Sequence, residues 1–433
     1  MISVEKLCLG VARECITPEV GGPLYGYRPD VFSTSVEDDL TATAFFFRQG
    51  DTQALMISLT LGSLHSGLAQ EIRSMIEKLF AVPAKNCMLC ATHTHSGPNT
   101  TGSEGWGKID SAYCNEILLP AIVRVVESAV ARVRPVKMGF ASGISLTGIN
   151  RRELNENNEI MLGQNPWGSF DPQMTVISFA DENEKIVANM IHYGAHGTAA
   201  GTNHEITRDW SGVMVDALEE YSGGITAFFN GPEGDVGPRL SNGLTVGNIG
   251  LVHELGAIAA QDAIRIYDQI GGFREGALTV STKEVHVPLK PRMPLKEARQ
   301  MYEKYKNETV NLSGMIRAHL ADVIDSYETG FVEQETRPVE QIVIDFGAVV
   351  FAAFPYELFS EIGLRVARAV KEKRVLSLSN TNGTEGYFIT QDAICRGGYE
   401  VDMFLYSHVQ PYCDNADYFL MKETVNHIQT TER

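Results

Sequence analysis

The stretch Cys87–Pro98 reads CMLCATHTHSGP, and no other segment constrains the chain as much. Its first half is an unbroken apolar run of the kind a buried strand carries, and Gly97-Pro98 stops it. Successive strand side chains point to opposite faces, so the spacing predicts His93 and His95 on one face. Two imidazoles where a strand turns into a loop suit a metal ligand beside a second acid–base group. A catalytic metal centre takes about three or four His, Asp, Glu or Cys ligands. The rest of the chain must supply the others.

Cys87 and Cys90 are the nearest candidates. Alternation turns Cys90 away from His93. Cys87 shares the histidine face but sits six residues back, roughly 20 Å along a strand that rises about 3.3 Å per residue. Both are expected in the core. His192 and His196 would form an i, i+4 pair on a helix. The preceding Ile186–Met190 and the following Gly197 favour a strand end instead, which leaves His196 where the chain turns out of a sheet. His204-Glu205 and His253-Glu254 each begin like HExxH and lack the second histidine. No G-x-S-x-G elbow occurs, and Ser96 is too local to His95 to act as a triad serine. The loop Gly231–Pro238 reads GPEGDVGP and carries Glu233 and Asp235. It lacks the order of a phosphate loop and reads as a tight turn with a carboxylate capping backbone N–H groups. No G-x-G-x-x-G run follows a strand, so no nucleotide cofactor is expected.

Strand and helix patterns alternate along the chain. Strands are expected at 5–17, 41–48, 52–61, 136–146, 174–180, 186–196, 225–230, 278–287, 341–345, 348–354 and 375–379. Helices are expected at 66–80, 109–133 with a kink at Pro120, 210–221, 253–267, 358–370 and 416–427. Residues 294–327 are charged and helical, broken near Ser313-Gly314, which makes 290–335 the candidate cap. No internal sequence repeat or Pro/Ser-rich linker is visible, so residues 1–433 are expected to form a single domain. The net charge of −18 opposes binding of a polyanion, so no nucleic-acid partner is expected. No apolar run approaches the roughly 20 residues of a membrane span. The N-terminus has no export signal pattern. Seven scattered cysteines, an odd number, then read as reduced thiols of a cytoplasmic protein.

Several stretches match one family in order. ATHTHSGP, AHGTAAGTNHEITRDWSG, FNGPEGDVGP, FPYE and YFITQDAICRGGYE resemble the signature blocks of the neutral/alkaline (non-lysosomal) ceramidases, as do Gly10–Arg13, Ile16–Pro18 and Gly26-Tyr27 near the start. The resemblance implies an α/β (α+β-like) domain, a layered sandwich of central mixed β-sheets flanked by helices. It also implies one zinc ion held by His93, His196, Glu357 and Tyr387. His95, Arg151 and Tyr399 would then surround the scissile group.

Two departures bear on function. Where the family's GDVSP block has serine, this chain has Gly237, so no mechanism using that serine is open to it. The family's C-terminal immunoglobulin-like domain and export signal are not expected here. The expectation is therefore a zinc hydrolase of an amide, ester or lactone bond in a small soluble substrate. His95 would carry the proton or stabilise the oxyanion, Arg151 and Tyr399 would donate to it, and Asp235 would orient a metal-binding histidine. The alternatives are a non-catalytic binding or sensor protein of the same fold, or a true N-acylsphingosine amidohydrolase. The oligomeric state is open, with a homo-oligomer among the expectations.

Overall fold

A computed structural model describes residues 5–431. Residues 1–4, the start of the segment read for an export signal, lie outside it. The fold is α/β, with three mixed sheets that share one plan. In the first, Cys8–Cys15, Thr41–Gln49 and Thr52–Leu59 are antiparallel neighbours, and Cys87–Ala91 joins the last of them in parallel. In the second the same roles fall to Lys137–Ile144, Gln173–Ala180, Ile186–Tyr193 and Ile225–Asn230. In the third they fall to Thr279–Pro288, Thr336–Asp345, Val349–Ala353 and Arg374–Leu378. A parallel partner needs a crossover. Helices Ser66–Phe80, Trp210–Ser222 and Ser360–Ala369 provide it. After each parallel strand a further helix packs back on the unit's first strand: Leu119–Ala131, Ile249–Tyr267 and Ala416–Thr431. The repetition absent from the sequence is thus present in the topology.

One apolar core joins the three sheets. Phe47 of the first touches Phe179 of the second and Phe346 of the third, with ring centroids 5.4 and 4.7 Å away. Three outer cores lie between each sheet and its helix pair. Strand alternation shows directly in Cys87–Ala91. Cys87 and Leu89 face the outer core, while Met88 and Cys90 face the central one. All seven cysteines are free thiols, and burial pushes those of Cys87 and Cys90 up to about 12.

Some elements differ from expectation. The strand at Cys87 ends at Ala91, and His93 has φ +67°, so the two histidines lie beyond the strand. Gly148–Leu154, not among the expected strands, is a strand between Val236–Pro238 and Ile160–Asn165. The helix expected over 109–133 is interrupted just before Pro120, which falls in the first turn of its second part. A π-turn at Cys114–Leu118, in which the Leu119 N–H reaches the Cys114 carbonyl, precedes the helix Leu119–Ala131. The helices Leu295–Tyr305 and Asn311–Ser326 are divided at 306–310, ahead of the expected break. Gly314 sits inside the second helix because a Cβ there would stand 2.7 Å from the Thr309 carbonyl carbon.

Gly10 marks the closest approach of a helix to a sheet. A Cβ on it would stand 1.9 Å from the carbonyl oxygen of Ala129. Gly10→Ala is expected to lower stability by about 1–3 kcal/mol through overpacking. The check is a urea titration, which should show a lower midpoint at unchanged slope; an unchanged midpoint contradicts this packing.

Candidate metal centre

The loops that leave the parallel strand pairs emerge at the same end of the three sheets, where α/β proteins bind ligands. Gly62 follows Thr52–Leu59, and His93 and His95 follow Cys87–Ala91. His196 follows Ile186–Tyr193, and Glu233 follows Ile225–Asn230. Glu357 follows Val349–Ala353, and Asn380 follows Arg374–Leu378. Two of these loops are tied together by backbone: Gly197 N–H donates to the His93 carbonyl at 3.2 Å, and His95 N–H to the Gly197 carbonyl at 3.0 Å. The short parallel bridge Glu357↔Tyr387 brings the tyrosine alongside the glutamate.

His93, His196 and Glu357 are all buried. Nδ1 of His93 donates to the Gly62 carbonyl at 2.6 Å. Nδ1 of His196 donates to the carbonyls of Glu233 and Val236, at 2.9 and 3.1 Å. Carbonyl oxygens only accept, so each ring keeps its proton on Nδ1 and presents a lone pair at Nε2. Glu357 Oε2 lies 3.4 Å from Nε2 of His93 and 3.0 Å from Nε2 of His196. Burial alone would push the Glu357 carboxyl up, but His93 and His196 outweigh it and hold it well below the usual range. Burial alone would pull His93 down, but Glu357 with Glu233 outweighs it, so His93 is raised and draws a proton to Nε2 unless a cation takes that place. Burial, followed by Arg151, lowers His196 to about 3. Three acceptor atoms therefore meet where a positive charge is required. A tetrahedral ion with bonds of about 2.0–2.1 Å needs ligand atoms about 3.3 Å apart, which these separations match. The residues present fit a metal ion.

The Tyr387 hydroxyl stands 3.5 Å from Nε2 of His196 and accepts from Arg151 Nη2 at 2.8 Å. Burial raises its pKa well above the usual tyrosine value. His95 Nε2 lies 3.3 Å from His93 Nε2. Its ring sits between Tyr25 and Tyr27, with centroids 5.3 and 5.2 Å away. Gly26 is required between them, because a Cβ there would stand 2.3 Å from His95 Nδ1. That Nδ1 has no hydrogen-bond partner. Burial, then the two neighbouring histidines, hold His95 well below the usual value, so its ring is neutral. Ring nitrogens of His93, His95 and His196 all lie within 4.8 Å of one another, so His95 is also close enough to join a metal set.

Arg151 is steered by a residue the sequence reading passed over. Glu400 is fully buried and accepts from Arg151 Nε at 2.9 Å and Arg152 Nη1 at 2.5 Å. Its position beside Tyr399 in the Tyr399-Glu400 pair was the available signal. Tyr399 packs edge-on to Tyr387, 5.9 Å between centroids. Asp235 requires a correction. Its carboxylate touches no histidine; it accepts from Ser360 N–H at 2.7 Å, Ser360 Oγ at 3.2 Å and Asn150 Nδ2 at 3.3 Å. Backbone carbonyls of its loop orient His196 instead. His192 stays outside the centre, with Nε2 2.8 Å from the Ser377 carbonyl.

A cavity of about 640 Å³ opens beside the centre and includes Glu357 and Tyr25 in its wall. Met315, Ala318 and His319 of the helix Asn311–Ser326 form another part of that wall. Asn311 fastens this helix by donating from Nδ2 to the Tyr27 carbonyl at 2.6 Å.

Position 237 has no room for a side chain. A Cβ on Gly237 would stand 2.6 Å from Thr245 Cγ2 and 3.4 Å from Arg151 Cβ. Gly237→Ser is expected to cost about 1–3 kcal/mol, seen as a lower denaturation midpoint. A midpoint at or above that of the parent chain contradicts this.

Comparison with known proteins bears on the family and the fold. A family profile described as neutral/alkaline non-lysosomal ceramidase, N-terminal, matches residues 7–248. A neutral ceramidase of Pseudomonas aeruginosa is 30% identical over 167 residues, 36% of this chain and 25% of that protein. A neutral ceramidase of Mycobacterium tuberculosis is 24% identical over 264 residues, 51% of this chain and 38% of that protein. These alignments therefore span well under half of either relative's length. The crystal structure of the Pseudomonas aeruginosa neutral ceramidase superposes with a TM-score of 0.75 at 19% identity, covering 99% of this chain and 75% of that one. A structure described as ceramidase complexed with C2 superposes at 0.74 and 18%, covering 98% and 75%. With the profile spanning more than half of its length, the chain belongs to the neutral/alkaline non-lysosomal ceramidase family.

Proposed function

We propose that this chain is a zinc-dependent hydrolase of an amide, ester or lactone bond in a small soluble substrate. The observation that carries the reading is the meeting of the His93 and His196 Nε2 lone pairs with the Glu357 carboxylate. His93, His196, Glu357 and Tyr387 would hold the ion. When bound, zinc polarises a carbonyl and brings the pKa of water from about 15.7 toward 7. His95, neutral and with an uncommitted ring nitrogen, takes a proton and returns it to the leaving group. Arg151, held in place by Glu400 and Tyr387, donates to the developing oxyanion, and Tyr399 adds a hydroxyl. Asp235 fixes the loop whose carbonyls orient His196.

Substrate size and polarity follow from the cavity. Asp322, Arg337 and Glu385 are among its walls. Such walls suit a polar molecule better than the two long chains of a ceramide. The ceramidase relatives keep N-acylsphingosine amide hydrolysis as the second reading. The absence of the motif serine at Gly237 keeps a binding or sensor role as the third. The proposed setting is the cytoplasm, where seven free thiols stay reduced. Among the described residues no helix is long and apolar enough to cross a membrane.

Zinc removal by a chelator is expected to abolish hydrolysis of short N-acyl amides, esters or lactones, and added zinc to restore it. Hydrolysis that survives complete metal removal contradicts the reading. Arg151→Met is expected to lower kcat/KM by about 10²–10³ with zinc content unchanged. If zinc is retained, no such bond is cleaved and His93→Ala still binds ligand, the sensor reading replaces it.

A further inference from the structure

The carbonyl of Glu233 orients His196, but its side chain has no role in the centre as described so far. Its side chain is fully buried. Oε1 accepts from Asn380 Nδ2 at 2.5 Å, while Oε2 has no hydrogen-bond partner. Burial pushes this carboxyl up to about 8, so its ionised form needs a positive partner that the protein does not supply. One oxygen of Glu233, one ring nitrogen of His93 and one oxygen of Glu357 lie within 4.8 Å of one another.

The backbone brings Glu233 there for a reason. Gly234 N–H donates to the Leu358 carbonyl at 2.9 Å, tying the Glu233 loop to the Glu357 segment. That approach needs glycine, since a Cβ on Gly234 would stand 2.5 Å from the Glu357 carbonyl oxygen. The carbonyl of Glu233 itself accepts the Nδ1 proton of His196. One residue thus aims a histidine with its main chain and faces the same point with its side chain.

We propose that Glu233 is a further ligand of the metal ion, bound through Oε2, so that two carboxylates share the centre. This rests on the reading of His93, His196 and Glu357 as metal ligands. A second carboxylate lowers the net charge of the loaded centre and supplies the compensation that the unpartnered oxygen lacks. It also couples metal loading to the loop Gly231–Asp235, which the ion would pin against the Glu357 segment.

Glu233→Gln keeps shape and hydrogen bonding and removes the charge. Competition against a chromophoric zinc chelator is expected to show at least about tenfold weaker zinc binding than in the parent, the scale on which losing a metal partner is felt. The absorption bands of cobalt in the same site are expected to change as well. Zinc affinity within twofold of the parent, with identical cobalt bands, overturns the proposal. Should Glu233→Gln fail to fold by circular dichroism, X-ray absorption of zinc in the parent decides. A fit that requires carboxylate oxygens from two side chains supports the proposal, and a fit satisfied by one overturns it. A parent that binds no zinc at all would instead sink the hydrolase reading, and the two failures are distinguishable.

Discussion

The centre depends on two imidazoles whose outward nitrogens are spoken for by backbone carbonyls. Gly62 holds His93, and Glu233 with Val236 holds His196. Each bond is ordinary by itself, worth about 1 kcal/mol net. Its effect is to fix a tautomer and a ring plane, so that both lone pairs meet one carboxylate. Without those carbonyls the rings could turn over or exchange protons, and the pair would no longer define a point. The carbonyls sit in loops that backbone hydrogen bonds tie down: Gly234 N–H to Leu358, Gly231 N–H to Tyr193 and His93 N–H to Leu61.

That stapling comes from the architecture. Three sheets of the same plan meet on one aromatic core, and each offers a pair of parallel strands whose loops leave at the same end. The first unit gives Gly62 and His93, the second His196 and Glu233, the third Glu357 and Asn380. No single sheet holds two of the three central side chains His93, His196 and Glu357. The longer connections, which run between the first and second strands of each unit, then supply the surroundings. Residues 16–40 bring Tyr25 and Tyr27, residues 145–172 bring Arg151, and residues 289–335 bring the helices beside the cavity. Burying Phe47 against both other sheets is therefore part of building the centre.

Much of this was legible in the sequence. Apolar runs located the strands, and His93, His95 and His196 stood out because each follows one. The alternation argument put Cys87 and Cys90 on opposite faces and in the core, and the structure buries them in two different cores. It gave a wrong reason for the histidines, because the strand stops at Ala91 and His93 takes a left-handed backbone. Asp235 was read as a partner of histidine because a carboxylate beside a metal is the usual orienting group. Carbonyls did that work here, and a carbonyl carries no signature in a sequence. Glu400 and Glu233 went unassigned as partners for a related reason: their importance lies in what they touch across the fold. The topological repeat escaped notice because the three units share connections and no residues.

The account stands on one claim, that His93, His196 and Glu357 together hold a zinc ion. Native mass spectrometry of the intact chain, compared with His93→Ala, His196→Ala and Glu357→Gln, tests it most directly. The account predicts a parent mass increased by one zinc, and each substituted chain folded but without it. A parent that carries no zinc when zinc is supplied, or substituted chains that retain it in full, would contradict the claim.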